Sequence, residues 1–271
     1  VIYDFDVIRS LIVMAILAWP LAAAAAEPAA LARARTLYNA GSYDAAIDAA
    51  SAARRDPQAG DAAALVLARA HLERFRAGGT PEDLTAARTA LGAIRLGSLS
   101  PRDQLDLLVG LGQTLYLGEA FGAAADVFDT ALGRASTLDA RDRAKLLDWW
   151  ATALDRQAQA RPADRRIPVF TRIVDRMEQE LQSEPGSTIA NYWLVVSARG
   201  AGDLDRAWDA AIAGWVRAPL GPDAAALRAE LDRVVSEALI PERARTRPAR
   251  EQQEAMAAMR AEWDQVKAAW K

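Results

Sequence analysis

His71 is the single histidine in a chain of 271 residues that has no cysteine. Protein zinc and most transition-metal sites are assembled from several such side chains, so one isolated imidazole offers no ligand set. It lies on or beside the apolar face of a helical segment, where a structural role suffices. The missing thiols also exclude disulfides, thiolate nucleophiles and lipid attachment at a cysteine. Carboxylates are plentiful, among them Asp203, Asp205 and Asp209. Each falls on a solvated helix side or in a capping position, and a charged helix surface explains them. Gly110-Leu111-Gly112 and Gly200-Ala201-Gly202 lack both the lysine of a phosphate loop and a preceding strand. No catalytic residue, cofactor site or metal site is therefore assigned, and a non-enzymatic protein is expected.

The chemistry left is that of aromatic contact. Trp149, Trp150, Trp193, Trp208, Trp215, Trp263 and Trp270 all lie in the C-terminal half, while Trp19 belongs to an apolar run near the start. Large rings fill the holes that alanine-rich helix faces leave, and rings that line a groove anchor a bound protein. The spacing predicts that Trp193 and Trp208 face each other within one hairpin. Asn191 and Tyr192, with Trp149 or Trp150 on the preceding hairpin, are the candidate protein-binding residues. Met256, Met259, Trp263 and Trp270 recur at three- to seven-residue steps in the last helical stretch. They form a second candidate face, for a docking partner or a poorly packed end helix.

The elements that carry these residues read as helices throughout. Residues 41–57 set the grammar: Gly41 turns the chain, and Tyr43, Ala46, Ile47, Ala50 and Ala53 form one apolar stripe before Pro57. A stripe made mostly of alanine buries little area and needs a partner helix very close to it. Residues 29–40 supply that partner across a short turn. Helical spacing returns at 61–77, and Thr80-Pro81-Glu82-Asp83 and Ser100-Pro101-Arg102-Asp103 are strong helix starts. Further helices are expected at 138–160, 165–181, 189–199, 204–217, 224–239 and 250–270, the last preceded by a tail from Pro241 that is rich in arginine, glutamate and glutamine and holds two prolines. Gly112 and Ala124 are expected where two antiparallel helices touch most closely. The fold class is all-α, a superhelical array of five or six antiparallel helical hairpins.

Aligned on their turns, the hairpins share a pattern. Gly41-Ser42-Tyr43 precedes Ala46, Ala50 and Ala53; Glu119-Ala120-Phe121 precedes Ala124, Phe128 and Ala131; Gly202-Asp203-Leu204 precedes Ala207, Ala211 and Gly214, with Pro219 beyond. Leu111-Gly112 and Leu115 match small and large positions of a first helix. This resembles the tetratricopeptide repeat, a helix–turn–helix unit of 34 residues. The resemblance covers most of 29–219; it is looser at 61–94 and 143–181, where an insertion at Thr80 and the long Trp149-Trp150 hairpin break the spacing. It implies a right-handed superhelix that binds peptides or helices on the concave face of its first helices. The lysine, asparagine and arginine set by which some members hold a terminal carboxylate is not matched: Arg33, Arg69 and Asn191 are only loosely placed.

Residues 11–26 form an apolar run that follows Arg9 and ends in alanines before Glu27-Pro28. Its length and exit are those of a secretory signal peptide cleaved after Ala26, and it is short for a membrane span. An uncleaved single-span anchor is the alternative. The domain reading is therefore a signal peptide at 1–26, a tetratricopeptide-like solenoid at 27–221, and C-terminal capping or partner helices at 222–271. A net charge of −3 offers no broad attraction for nucleic acid. The function expected is an exported, periplasmic or secreted adaptor or scaffold that binds a protein or peptide of the cell envelope. The alternative is a structural subunit of an envelope complex, assembled through the C-terminal helix.

Overall fold

A computed structural model describes residues 28–134 and 138–271. The expected leader at 1–26, with Trp19, lies outside the described residues. Every regular element among the described residues is helical, and none of their helices is long and apolar enough to cross a membrane. The chain divides into two compact units, residues 1–118 and 119–271. That division falls inside the stretch read as one solenoid at 27–221.

The first unit contains α1 (Ala29–Asn39), α2 (Tyr43–Ala53), α3 (Gly60–Arg76), α4 (Pro81–Gly92) and α5 (Pro101–Leu117). Helices adjacent in sequence pack in pairs, α1 on α2 and α3 on α4, and α3 also touches α1 and α5. Ala34, Ala46 and Ala50 are fully buried, which is the close approach that an alanine stripe permits. Larger side chains, Leu31, Tyr38, Leu65, Leu72 and Leu91, complete the core. Gly41 takes φ +73°, and its N–H and that of Ser42 bond back to the carbonyls of Tyr38 and Leu37. The left-handed residue thus satisfies the end of α1 and reverses the chain. In α5 the close approach is made by Gly110, where a Cβ would meet Leu91 of α4 at 3.3 Å. Gly112 and Ala124, expected to touch, belong to different units.

His71 has a structural setting. Its Nδ1 lies 2.8 Å from Asp83 Oδ1, and Arg74 Nε donates to the same oxygen at 2.8 Å. Asp83 also closes the capping box with Thr80 at the start of α4. Burial pushes the Asp83 carboxyl up, but the bonds from Arg74 and His71 outweigh it and hold the group below the usual carboxylate range.

The second unit contains α6 (Phe121–Gly133), α7 (Ala140–Gln159), α8 (Ile167–Ser183), α9 (Thr188–Gly200), α10 (Leu204–Arg217), α11 (Ala224–Val234), α12 (Ile240–Arg245) and α13 (Gln252–Ala269). Neighbours again pack in pairs, while α9 touches α7 and α11 as well, and α13 returns to α10 and α12. Gly202, at φ +82°, ends α9 by the same pair of backward bonds as Gly41. Ala124 and Ala207, both fully buried, occupy small-residue positions of the repeat pattern.

The helix expected to end at Leu239 continues past Pro241. The helix widens into a π-helical turn at Val235–Leu239, and Pro241 sits in the first turn of α12. Proline lacks an N–H, and in an ordinary helix its ring collides with the carbonyl four residues back; a wide turn before it relieves both problems. Leu239 and Ile240 are fully buried there, so core packing carries the chain through.

Candidate functional site

The first helices of the later hairpins, α7 and α9, carry most of the candidate residues. Asn191 is fully buried: its side-chain nitrogen donates to the carbonyls of Pro185 and Ser187 at 3.0 and 2.9 Å, and Arg217 Nε donates to its oxygen at 3.0 Å. It therefore ties α9 to the preceding loop and to α10, a correction to its expected place in a groove. Trp150 is likewise a core residue, 1% exposed, beneath the guanidinium groups of Arg172 and Arg176. Those two arginines are in turn held by Asp126 and Asp129 of α6. Trp149, half-buried, rests against Phe128 with ring centroids 5.9 Å apart.

Tyr192 is half-buried. Its ring meets Trp193 edge-on at 5.6 Å. The Trp193 indole N–H donates to Asp148 Oδ1 of α7 at 2.8 Å, while Trp208 packs against Trp263 of α13. The expected Trp193–Trp208 pair is thus replaced by two contacts of other kinds, because a helix face fixes direction but not which neighbour fills it.

Two carboxylates that were not singled out belong to this wall. Asp148 and Asp155 lie two turns apart on one side of α7. Burial pushes the Asp148 carboxyl up, against the bond from Trp193. Burial pushes Asp155 up to about 6, against the pull of Arg156 and Arg199. Burial also pushes the Tyr192 phenol up to about 12. Asp148 is half-buried by exposed surface. Asp155 accepts from Gln159 Nε2 at 2.6 Å. A seven-residue spacing of acids on one side of α7 was the available signal. The two carboxylates can accept hydrogen bonds, and Asp155 can change its charge near pH 6.

The second candidate face is engaged in part inside the chain. Trp263 is 1% exposed, with Trp208 and Trp215 at 6.1 and 5.4 Å. Its indole donates to Asp232 of α11 at 2.7 Å, and Lys267 donates to the same oxygen at 2.8 Å. Met256 and Met259 are half-buried. Trp270 is 53% exposed, and its carbonyl accepts from the Trp215 indole and from Arg228. Trp263, and the backbone carbonyl of Trp270, therefore hold α13 to α10 and α11 of its own unit, while Met256 and Met259 keep part of their surface open.

Among the described residues no group of three or more histidines, cysteines and carboxylates is placed to hold a metal ion. Comparison with protein-family models, curated proteins and solved structures finds no match to this chain.

Proposed function

We propose that the chain is a non-enzymatic, exported adaptor of tetratricopeptide-like architecture, which binds an extended or helical segment of another envelope protein along α7, α9 and α11. The reading is carried by one observation: Tyr192 stands half-open beside two carboxyl groups whose charge is already strained by burial. Neither Asp148 nor Asp155 forms an ion pair among the described residues. A partner that brings an aromatic or aliphatic side chain onto Tyr192 and a cation toward Asp155 gains contact area and relieves that strain at once. The packing of helices in sequence-adjacent pairs, with alanine at the tightest approaches, supports the repeat architecture. The apolar run at 11–26 supports export.

The test is a pull-down from the native envelope followed by titration calorimetry with the captured partner. Replacing Tyr192 with alanine should weaken binding by more than about 1 kcal/mol with an unchanged circular dichroism spectrum. Binding should also strengthen as pH rises through about 6, where Asp155 ionises. Unchanged affinity in the variant, with loss on removal of residues 252–271, would move the interface to α13 and restore the assembly reading.

A further inference from the structure

A cleft of about 870 Å³ opens in the second unit between the start of α10, the end of α12 and one face of α13. Its size suits a few side chains of a bound segment. Leu204 and Met259 contribute half-buried apolar surface above the buried Trp208, and Asp203, Asp205, Glu251, Glu254 and Glu262 stand around it with Arg243 and Arg247 among them. Arg243 is already engaged: its Nη2 donates to Asp205 at 2.6 Å, and its guanidinium lies 4.8 Å from the centre of the Trp208 ring. Asp203 caps α10, and Glu262 accepts the Trp208 indole N–H at 3.1 Å. Glu254 is exposed on the same side of α13. Glu251 is paired with Arg250 at 3.2 Å, so Asp203, Glu254 and Glu262 leave acid in excess over Arg247.

We infer that this cleft binds a short basic segment of a partner protein, arginine- or lysine-bearing, with one apolar side chain against the half-buried Leu204 and Met259. The inference rests on the protein-binding reading but concerns a site separate from the Tyr192 wall. The chain's own Arg243 shows the chemistry: a guanidinium stacks on the Trp208 face while a carboxylate takes its N–H groups. An incoming arginine finds a second carboxylate in Glu254, and Glu262 beyond it, two turns along α13. Charge complementarity of this kind sets orientation and on-rate, and the apolar anchor sets residence.

The test uses the whole chain and a fluorescein-labelled peptide of alternating arginine and leucine, read by polarisation. Two control peptides carry glutamate for arginine and serine for leucine. The arginine–leucine peptide should bind at least about tenfold tighter than either control, and its affinity should fall severalfold as salt is raised past the screening range. Glu254→Lys should weaken it at least about fivefold, whereas Asp164→Lys, the same charge change on an exposed turn outside the cleft, should not. Equal binding of the three peptides, or equal loss in the two lysine variants, overturns the proposal, because either result means attraction to net charge alone. Tyr192→Ala should leave this peptide's affinity unchanged, so failure at the cleft and failure at the Tyr192 wall are read by different variants.

Discussion

Asp155 offers the sharpest physical test of the structure. The residue is 7% exposed, and its carboxyl accepts one bond, from Gln159. Burial raises it from 3.8 to about 6, against the favourable pull of Arg156 and Arg199. The folded state thus holds the proton more tightly than the unfolded chain does. Between pH 3.8 and 6 the folded state binds more protons, so this group makes stability fall as pH rises across that window, and the slope vanishes above it. At 1.36 kcal/mol per pH unit the ionised group costs the fold about 3 kcal/mol near pH 8. Asparagine keeps the shape and an acceptor for Gln159 without the charge. Asp155→Asn should therefore be more stable than the parent at pH 8, by about 1–3 kcal/mol, and the gain should shrink toward zero near pH 4. Urea unfolding followed by tryptophan emission is the assay. Every tryptophan except Trp19 lies between 149 and 270, so emission reports the second unit. Parallel stability curves for parent and variant from pH 4 to 8, or a less stable variant at pH 8, would refute the reasoning.

Ala207→Leu should lower the urea midpoint of the same transition by an amount worth about 1–3 kcal/mol, because Ala207 has no exposed surface and three added carbons must displace its packed neighbours. Asp83→Ala should destabilise the first unit by about 1–2 kcal/mol, read by circular dichroism, since it removes a capping box and the acceptor of Arg74 and His71. The Asp83 carboxyl is held low in the fold, so its contribution is present above the unfolded carboxylate range and disappears on acidification. The gap between Asp83→Ala and parent should accordingly close as pH drops below about 4.

Much of the helical layout was legible because its signals are local. Gly41 and Gly202 mark turns that need positive φ, and Thr80-Pro81 and Ser100-Pro101 open α4 and α5 as their chemistry requires. The alanines at 34, 46, 50 and 207 report close approach, which any partner helix would satisfy. What was not legible depends on the choice of neighbour. Periodicity placed Trp193 and Trp208 on inward faces, yet Asp148 and Trp263 claimed them. Asn191 and Trp150 read as groove contacts, since neither residue type declares whether polar partners or arginines will close over it. Pro241 read as the start of a tail because the widened turn before it has no signature of its own. The Asp155 carboxyl passed as surface charge for a similar reason: one helix face does not reveal how deeply the flanking helices bury it.

The pairing of sequence neighbours has a kinetic consequence. Hairpins whose turns span a few residues close at little entropic cost, so most of this chain can organise by fast, local steps. The seam of α13 on α10 is different, for it joins Trp208 to Glu262 and Trp215 to Trp270 across 54 and 55 residues. Closing that loop gains nothing until α10, α11 and the turn into α12 already stand in place. Refolding should then show two clocks: helix signal recovering early, and the environment of the Trp208, Trp215 and Trp263 rings recovering late. Until the second clock has run, the rings that α13 covers are open to solvent, and a chaperone would find its target there.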